Sequence, residues 1–475
     1  MTAAHQRSPV MTPKAATSVL ALLVAGCASA SPKPAFRDTA NLVETRTGRR
    51  IAWNQGGDDD AAVSKRVHDL LSHELTVEAA IQVALLNNKT VQATYEDLSV
   101  AQADLVQAGL LQNPVFGAGI VFPVAGTAST GGSLSVSQDF LSVFLLAARK
   151  KVAAAQLRAT KLRVANAVLL MTFEVESAFY DLGAAQQIAA MRKTILEAGD
   201  AAVELARRQH DAGNISDLDL VNQEALYEQV RADLVRSDAD VVVARETLTR
   251  LLGAGEADAT YRIGNKLPEL PPGEVGLEHL ESLAVGRRLD LAATHEEADA
   301  VFHALALAKN YRWLGSTSVG GGYERSPEGF SVAGPSVGLE VPLFDQKQAV
   351  IARLEGQLRA ALGREAALAV DVRSEVRAAR ARVLAMRALV ERYASVVVPL
   401  RERAVALSQE QYNAMLLGTY QLLQTKQNEV NAYRELIEAV RDYWTARADL
   451  ERATGGTVPM ADGGPGISRE PGVER

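Results

Sequence analysis

Three side chains in the second half of the sequence have the types and spacing of metal ligands. His295, Asp299 and His303 follow one another at intervals of four residues, which places them on one face of a helix. Imidazole and carboxylate groups in such a row could bind a transition metal such as zinc. We identify no further strong ligand nearby, so these residues stay candidates and the sequence predicts no metal site.

Two motifs of common catalytic sites, the phosphate-binding loop and the zinc-protease helix, are lacking. Gly320-Gly321-Gly322 is not followed by Lys and Ser or Thr, as a phosphate-binding loop would be, and it lies in a predicted strand. The sequence also contains no HExxH motif. We therefore predict a protein that is not an enzyme and uses no cofactor.

The composition excludes several classes of protein. The 475 residues carry 50 Lys and Arg against 57 Asp and Glu, so the net charge of -7 gives no reason to expect nucleic acid as a partner. The single cysteine excludes an internal disulfide framework. Beyond the N-terminus, no run of about 18 uncharged apolar residues could span a bilayer as a helix. The length predicts two units or one long repetitive architecture.

The single cysteine ends a predicted secretion signal. Residues 1–26 contain basic side chains and then an uncharged stretch from Ala15 to Ala25, the layout of a signal peptide. Leu23-Val24-Ala25-Gly26-Cys27 resembles the bacterial lipobox, in which the chain is cut before the cysteine and the cysteine is acylated. Ala28 favours sorting to the outer membrane. The alternative is a free thiol buried in the protein core.

The mature chain would begin at Cys27 whether translation starts at Met1 or at Met11. Residues 27–66 are predicted to be an extended, solvated segment, because proline and glycine recur in it. Residues 455–475 are predicted to be a disordered tail.

Two long stretches allow continuous helix. No proline lies between Pro123 and Pro268, and only Pro399 lies between Pro342 and Pro459. In both stretches apolar residues recur at alternating intervals of four and three, the spacing of helices that pack as coiled coils. The first row is Val164, Val168, Met171, Val175, Ala178 and Leu182, and the second is Ile351, Leu354, Leu358 and Ala361.

The first helical stretch must turn back once, and Asp211 to Ser216 is the best place because Gly213 and Asn214 tolerate left-handed backbone. The 68 residues from Leu145 to Ala212 would form a helix on the order of 100 Å long. We expect such a helix to cross a wide compartment, and a periplasm is the obvious one for a secreted chain.

Two windows between the helices show the alternation of β-strands. Segments of about ten residues that are apolar on one face are typical of transmembrane barrel strands. The alternative is a pair of soluble hairpins packed on one face. The opposite face holds mainly Gly and Ser. The residues predicted to share the apolar face are Phe116, Ala118, Ile120, Phe122, Leu134, Val136, Phe140, Thr317, Val319, Tyr323, Val337, Leu339, Val341 and Leu343.

The windows belong to an internal repeat. An offset of 200 aligns Ala93-Thr94 with Ala293-Thr294, and an offset of 202 aligns Gln209 with Gln411. Each half is predicted to contain a helix, a strand pair and a long helical hairpin. The predicted divisions are repeat 1 at 67–252 with strands in 115–141 and a tip near 213, a linker at 253–276, and repeat 2 at 277–454 with strands in 315–344 and a tip near 415.

Two strand pairs are too few to close a transmembrane barrel, which needs about eight strands. An open sheet edge in lipid would leave backbone groups without hydrogen-bond partners, so several chains must pool their strands. Three copies would supply twelve strands. The predicted fold is therefore α+β, with a shared barrel and long coiled-coil helices.

Taken together, these residues resemble the TolC-like outer-membrane efflux channels. The resemblance covers nearly the whole mature chain and implies a homotrimer, with a twelve-stranded outer-membrane barrel continued by a helical periplasmic tunnel. It also implies docking to a periplasmic adaptor and an inner-membrane pump, such as a resistance-nodulation-division transporter. The channel would be a passive, gated exit. The matching features are Cys27 in its lipobox, Asn113-Pro114 before the first strand pair, Val341-Pro342-Leu343-Phe344-Asp345 after the second, the two repeats, and Pro399.

By the same resemblance, the working residues lie at the hairpin tips. Acidic residues just past the tip glycine project into the closed aperture in this family, which implies Asp217 and Asp219 as the gate. Threefold symmetry would turn each into a ring of carboxylates that attracts cations. Helix capping is the alternative role for both. Gly213-Asn214-Ile215 would contact the adaptor.

The second tip departs from the family pattern. Met415 stands in place of the usual glycine, and Gln421 in place of the usual aspartate, which puts a second acidic ring in doubt. The apolar Met415-Leu416-Leu417, followed by Gly418, is predicted to pack against the adaptor.

Two other functions stay open. A type I secretion system would need the same barrel and tunnel as its exit duct. Alternatively, the chain could be a lipid-anchored periplasmic coiled-coil scaffold with ordinary hairpins. The second tip also resembles those of members associated with heavy-metal export, particularly of copper. However, the seven methionines and seven histidines form no cluster along an obvious path, so the substrate stays open between metals and drugs.

Overall fold

The computed structural model describes residues 30–122, 124, 130–255, 260–274 and 279–458. The predicted signal peptide, Cys27 and most of the predicted tail lie outside the described residues. The chain divides into two compact units. The first, called the sheet unit, contains Leu98–Leu157 and Ala300–Leu354, and the second, called the helical unit, contains Phe36–Asp97, Arg158–Asp299 and the chain from Glu355 onward.

The structure corrects the prediction for residues 27–66. Two helices, α1 (Lys33–Thr47) and α2 (Asp58–Leu71), lie where an extended segment was predicted. Pro34 is in the first turn of α1, where a proline is tolerated because the backbone N–H there needs no helical partner. Val43 is fully buried, and Phe36 packs edge-on against Tyr95, with ring centroids 5.2 Å apart. Tertiary packing therefore stabilises a segment whose composition favours solvent.

The elements of repeat 1 follow. They are β1 (Glu74–Leu75), α3 (Val77–Asn87), α4 (Lys89–Ala108), β2 (Val115–Val121), β3 (Gly131–Asp139), α5 (Leu141–Asp211) and α6 (Asp217–Leu252). After β4 (Arg262–Ile263), which pairs with β1, the order recurs. Repeat 2 contains α7 (Leu280–Arg287), α8 (Leu289–Asn310), β5 (Thr317–Arg325), β6 (Ser331–Leu339), α9 (Gln348–Arg392), a π-helical turn (Tyr393–Val397), α10 (Val398–Asn413) and α11 (Thr419–Thr454).

In the sheet unit, the strands form one antiparallel sheet in the order β2-β3-β5-β6. Register places Phe116 opposite Val136, Val136 opposite Gly321, and Gly321 opposite Pro335. Residues directly opposite each other share a face of the sheet, so the predicted apolar residues of the four strands lie on one common face. The other face carries mainly Gly and Ser, with Val115, Val121, Glu324 and Val332 among them.

The last strand differs from its prediction. The alternation predicted a strand over 336–343, whereas β6 is Ser331–Leu339, so Val341 and Leu343 lie beyond it. The chain turns at Val341-Pro342, where the amide of Leu343 donates to the carbonyl of Val341 at 2.9 Å. The Glu340 carboxylate also accepts a hydrogen bond from the Ser316 backbone at 3.0 Å, which holds the end of β6 beside the start of β5.

The edge position of β6 explains why this strand tolerates Pro335. The amide of Glu340 donates to Ser316 and the amide of Ser326 donates to Phe330, so the even-numbered residues of β6 make the ladder to β5. The nitrogen of Pro335 therefore points away from β5, toward the outer edge. A proline costs no hydrogen bond within the sheet at such a position.

The first heptad row is largely buried in the helical unit as predicted, whereas in the second row only Ala361 is buried and Ile351, Leu354 and Leu358 are half-buried. Val164, Val168, Val175 and Leu182 on α5 are each at most 1% exposed. A second cluster of buried residues joins α9 to α11, with Val376, Val383 and Tyr443 among its members. The π-helical turn at Tyr393–Val397 comes just before Pro399, where the missing amide of the proline disturbs the helical ladder. None of the helices in the described ranges is long and apolar enough to serve as a membrane span.

The repeat is also visible in how the return helices end. Gly253 caps α6 with φ 64°, and Gly455 caps α11 with φ 77°. The Asn88 side chain donates to the carbonyl of Leu251 at 2.8 Å, and the Arg288 guanidinium, 200 residues later, donates to the carbonyl of Ala453 at 3.4 Å. The second helix of each hairpin is thus held at its end by a junction between two other helices, α3 and α4 in repeat 1 and α7 and α8 in repeat 2.

Candidate functional site

The first hairpin tip joins α5 to α6 and has a standard helix-ending geometry. Gly213 adopts φ 75°, its amide donates to His210 at 2.7 Å, and the amide of Asn214 donates to Gln209 at 2.8 Å. These two bonds satisfy carbonyl groups that the end of a helix would otherwise leave unpaired. The predicted contact residues Gly213, Asn214 and Ile215 therefore form a short turn between the helices.

Asp219 acts as a capping residue of α6. The Ser216 hydroxyl accepts from the Asp219 amide at 3.1 Å, and the Asp219 carboxylate accepts from the Ser216 amide at 3.3 Å. This reciprocal pair is a capping box, which satisfies two free donors at the start of the helix. The structure therefore shows the capping role for Asp219, which is only partly exposed at the tip.

Asp217 pairs with a histidine that sequence reasoning did not single out. Nε2 of His210 lies 2.7 Å from Oδ1 of Asp217, across the turn from α5 to α6. The hydrogen bond to Asp217 raises the pKa of His210 above its ordinary value, because it favours the charged imidazolium. The Asp217 side chain is otherwise open to solvent. A spacing of seven residues across a turn gave no sequence signal for this contact.

The second tip repeats the first with a different residue. The amide of Met415 donates to Tyr412, and the amide of Leu416 donates to Gln411, both at 2.9 Å, which matches the first tip at an offset of 202. Met415 has φ 58°, a left-handed conformation that glycine adopts without strain and methionine does not. The side chains of Met415 and Leu416 are 94% and 78% exposed. The structure thus presents the predicted apolar tip.

The acidic feature of the first tip is missing from the second. Gln421 occupies the position of Asp219, and its Oε1 accepts from the amide of Gly418 at 3.1 Å. Gln421 therefore makes the capping contact that Asp219 makes in the first tip, but with a neutral amide in place of a carboxylate. The two tips have the same backbone but differ in surface chemistry, with one charged and the other apolar.

Two of the three candidate metal ligands have other partners, and the ring of His303 lies 5.8 Å from that of Phe302. Nδ1 of His295 lies 2.9 Å from the Glu365 carboxylate on α9, and Asp299 lies 3.9 Å from the Arg158 guanidinium on α5. The pKa of His295 is raised by its hydrogen bond to Glu365. Within the described ranges, no group of three or more His, Cys, Asp or Glu side chains is placed to hold a metal.

The sheet unit carries a separate candidate surface with two distinct faces. On the apolar face, Phe116 is 77% and Val337 72% exposed. On the opposite face, serines lie across from glycines, so a Cβ at Gly117 would be 2.6 Å from Oγ of Ser135 and one at Gly338 would be 2.6 Å from Oγ of Ser318. Because these side chains are small, they project only a short distance from the backbone, and the serines line this face with hydroxyl groups.

A buried ionic cluster in the helical unit escaped the sequence analysis. Arg447 on α11 donates to Glu274 of the linker at 2.7 Å, and the two side chains are only 3% and 7% exposed. Tyr443 also donates to Glu274. The partners lie more than 160 residues apart along the chain, so no local pattern could have predicted the contact.

Comparisons with known proteins agree with this geometry. Residues 80–254, which cover most of the first repeat, match the family model described as outer membrane efflux protein. A comparison with curated protein sequences finds no significant match.

Several solved structures have the same fold. VceC from Vibrio cholerae is 17% identical, over 80% of this chain and 96% of that chain, with a TM-score of 0.67. The CmeC outer membrane channel of Campylobacter jejuni is 14% identical, over 82% and 87% of the two chains, with a TM-score of 0.70. The open-state MtrE outer membrane channel of Neisseria gonorrhoeae is 16% identical, over 80% and 89%, with a TM-score of 0.65.

At these identities the structural likeness establishes the fold. Together with the family match, it confirms the resemblance to TolC-like outer-membrane efflux proteins and the predicted α+β fold class. The same findings agree with a transport channel rather than an enzyme.

Proposed function

We propose that three copies of this outer-membrane efflux protein form the exit channel of a tripartite efflux system. The channel would be a passive, gated duct in the outer membrane that extends into the periplasm. A periplasmic adaptor would connect it to an inner-membrane pump, for which the resistance-nodulation-division type is our proposal.

The observation that carries this proposal is the four-stranded sheet with its two open edges. The backbone groups at the outer edges of β2 and β6 belong to residues of the apolar face, such as Ala118 and Ala333. If β6 of one copy pairs with β2 of the next, the apolar face therefore continues unbroken around the ring. Three copies give a closed barrel, apolar outside and lined mainly with Gly and Ser inside, which pairs all three sets of edges in lipid, with one backbone donor missing at each Pro335.

The hairpin tips supply the proposed contacts at the periplasmic end. Met415 and Leu416 are exposed in the turn between α10 and α11 and form an apolar projection. Water solvates such a surface poorly, so its burial against adaptor hairpins would be favourable. We propose Leu417 and Gly418 in the same contact, with Gly213, Asn214 and Ile215 from the first tip.

Asp217 and Asp219 are the proposed gate. Asp217 is exposed and Asp219 is partly exposed at the first tip, although each carboxylate also makes a local hydrogen bond. In a trimer they would form two neighbouring rings of negative charge, which would attract cations and repel one another when the aperture narrows. The His210 imidazolium would weaken the Asp217 ring at low pH.

Cys27 is the proposed lipid anchor. Acylation would attach the N-terminus of the mature chain to the outer membrane, in which the barrel also lies. The proposal rests on the lipobox sequence. Its chemistry predicts a mature protein whose N-terminal peptide carries diacylglycerol and a fatty acid such as palmitate.

Deletion of the gene in the source bacterium tests the efflux function. We expect greater sensitivity to metals, dyes or antibiotics, with resistance restored by the intact gene. Unchanged tolerance to all of them, with loss of a secreted protein from the medium, would instead indicate a type I secretion duct. Recovery of the protein only as a peripheral monomer would indicate a periplasmic scaffold.

A further inference from the structure

Two connecting segments lie side by side at one end of the sheet. Residues 311–316 lead from α8 into β5, and residues 340–347 lead from β6 into α9. The backbone of Gly315 packs against Glu340 so closely that a Cβ at Gly315 would collide with the Glu340 carbonyl oxygen. Both segments belong to the sheet unit, and together we call them the rim.

The rim continues the apolar face of the sheet. Thr317 and Leu339, which lie opposite each other in the register, belong to that face. Beyond them, Trp313 is 57%, Leu343 69% and Phe344 93% exposed. Since the apolar face is proposed to meet lipid, the rim would lie where the hydrocarbon ends and the headgroups begin. Tryptophan is enriched at this depth of a membrane, because its ring is apolar and its N–H is polar.

Arg312 places a positive charge beside these apolar side chains. Its guanidinium carbon lies over the Trp313 ring, 4.5 Å from the ring centroid. A guanidinium that lies over an aromatic ring keeps N–H groups at its edge that can still donate hydrogen bonds. The Arg312 side chain is exposed, and within the described residues no carboxylate pairs with it. Its N–H groups are therefore available to a ligand.

The other charged groups of the rim are bonded to the backbone. Nζ of Lys347 donates to a carbonyl of the neighbouring segment at 3.1 Å. The Glu340 carboxylate accepts from the Ser316 amide at 3.0 Å, and the Asp345 carboxylate accepts from the Lys347 amide at 2.8 Å. Arg312 is thus the charged residue of the rim that is left to bind a ligand. The planar guanidinium suits an anion with several oxygens, such as phosphate.

We propose that the rim binds a phospholipid of the periplasmic leaflet, with the phosphate at the Arg312 guanidinium and the upper acyl chains against Trp313 and Phe344. This inference rests on the proposed function, because it needs the sheet to lie in the outer membrane. The strand ends at the rim are those that join α8 and α9, so the proposed channel turns the rim toward the periplasm. The leaflet on that side consists of phospholipid, whereas the outer leaflet carries lipopolysaccharide.

The fluorescence of Trp313 reports this contact. The chain has three tryptophans, and the other two, Trp53 and Trp444, belong to the helical unit. Bromine atoms on an acyl chain quench tryptophan at short range. The full-length protein in detergent is titrated with dibrominated phosphatidylglycerol and, separately, with a diacylglycerol that has the same chains and no phosphate. We expect half-maximal quenching at an about fivefold lower mole fraction of phosphatidylglycerol, the effect of one arginine near lipid phosphate.

Two variants and a control locate the contact. Trp313→Phe should remove the quenching by both lipids. Arg312→Gln should keep the quenching but make the two mole fractions equal. The control Arg359→Gln, at an exposed arginine of α9 in the helical unit, should keep the wild-type difference. The proposal is overturned if both lipids quench the wild type equally, or if Arg312→Gln retains the full difference.

Native mass spectrometry of the same sample separates failure of the lipid site from failure of the proposed channel. A trimer whose Trp313 shows no preference for phosphatidylglycerol contradicts the lipid site and leaves the channel standing. A monomer that shows no preference contradicts both.

Discussion

Gly253 lies directly against the backbone of Asn87, so that a Cβ at Gly253 would be 2.9 Å from the Asn87 carbonyl oxygen. The second repeat has the same relationship, in which a Cβ at Gly455 would be 3.1 Å from the carbonyl oxygen of Arg287. Both glycines also have left-handed backbone. The return helix of each repeat therefore ends where only glycine fits closely.

We predict that Gly253→Ala and Gly455→Ala each lower the free energy of unfolding by about 1–3 kcal/mol, from backbone strain and the close contact together. Thermal unfolding followed by circular dichroism measures the effect. Gly255→Ala is the matched control, since a Cβ there meets nothing within 4 Å. An equal loss of stability in all three variants would contradict the account of the repeat.

Glu274 is predicted to hold the linker on the helical unit. Glu274→Ala leaves the buried Arg447 guanidinium without its carboxylate, at a cost of about 3–5 kcal/mol. The exposed pair of Glu44 and Arg50 provides the comparison, and Glu44→Ala should cost no more than about 1 kcal/mol. Denaturant unfolding of both variants would show a large difference. Similar losses would mean that the buried pair contributes nothing specific.

We predict that the stability of the protein falls as the pH rises, because the pKa values of two glutamates are raised by burial. Burial raises the pKa of Glu176 to about 7, and burial together with repulsion from Glu176 raises the pKa of Glu451 to about 8. The folded state thus binds protons that the unfolded state has already released. The contribution of these two groups to stability is fully present below pH 4.5, the ordinary pKa of a glutamate carboxyl. It is lost as the pH rises through 7 to 8.

Glu451→Gln removes one of these protonation sites and should flatten the decline. Thermal midpoints measured from pH 5 to pH 9 test this, with exposed Glu410→Gln as the control that leaves the curve unchanged. A wild-type protein whose stability rises across that range would show that the carboxylates are not held protonated.

The second hairpin tip is predicted to act only in docking. Leu416→Asp places a charge on the exposed tip, where it touches no core residue, so folding and membrane insertion should be unaffected. Export should nevertheless fall at least tenfold, because a buried charge at an interface costs more than 1.4 kcal/mol. Survival on growth-inhibiting substrates, in the gene-deleted strain carrying the variant, measures this loss.

Val243→Asp is the matched control for the tip, since Val243 is 66% exposed on the shaft of α6. It should export like the wild type at equal protein level in the outer membrane. Full activity of Leu416→Asp would remove the second tip from the proposed adaptor contact.

The sequence predicted features that follow a local period. The heptad row from Val164 to Leu182 is buried on α5, and the alternation around Phe116 and Val136 forms a common face, because period alone decides which side chains share a surface. Because four strands cannot close a transmembrane barrel, the sequence also predicted that several chains share one. The same logic failed for Val341 and Leu343, which continue the alternation after the strand has ended.

Features that depend on distant partners could not be predicted. Helix α1 forms because Phe36 and Val43 find a packing surface, although its composition resembles that of a solvated segment. The pair of His210 with Asp217 spans the turn from α5 to α6. In each case the deciding contact joins elements whose relative position the sequence does not encode in any short pattern.

Electron cryomicroscopy of the protein extracted from outer membranes tests the central claim most directly. We predict a ring of three chains in which β6 of each lies beside β2 of the next, closing twelve strands into one barrel inside the detergent belt. A particle in which β2 and β6 pair with no second copy, or in which the sheet lies outside the detergent belt, would contradict the account.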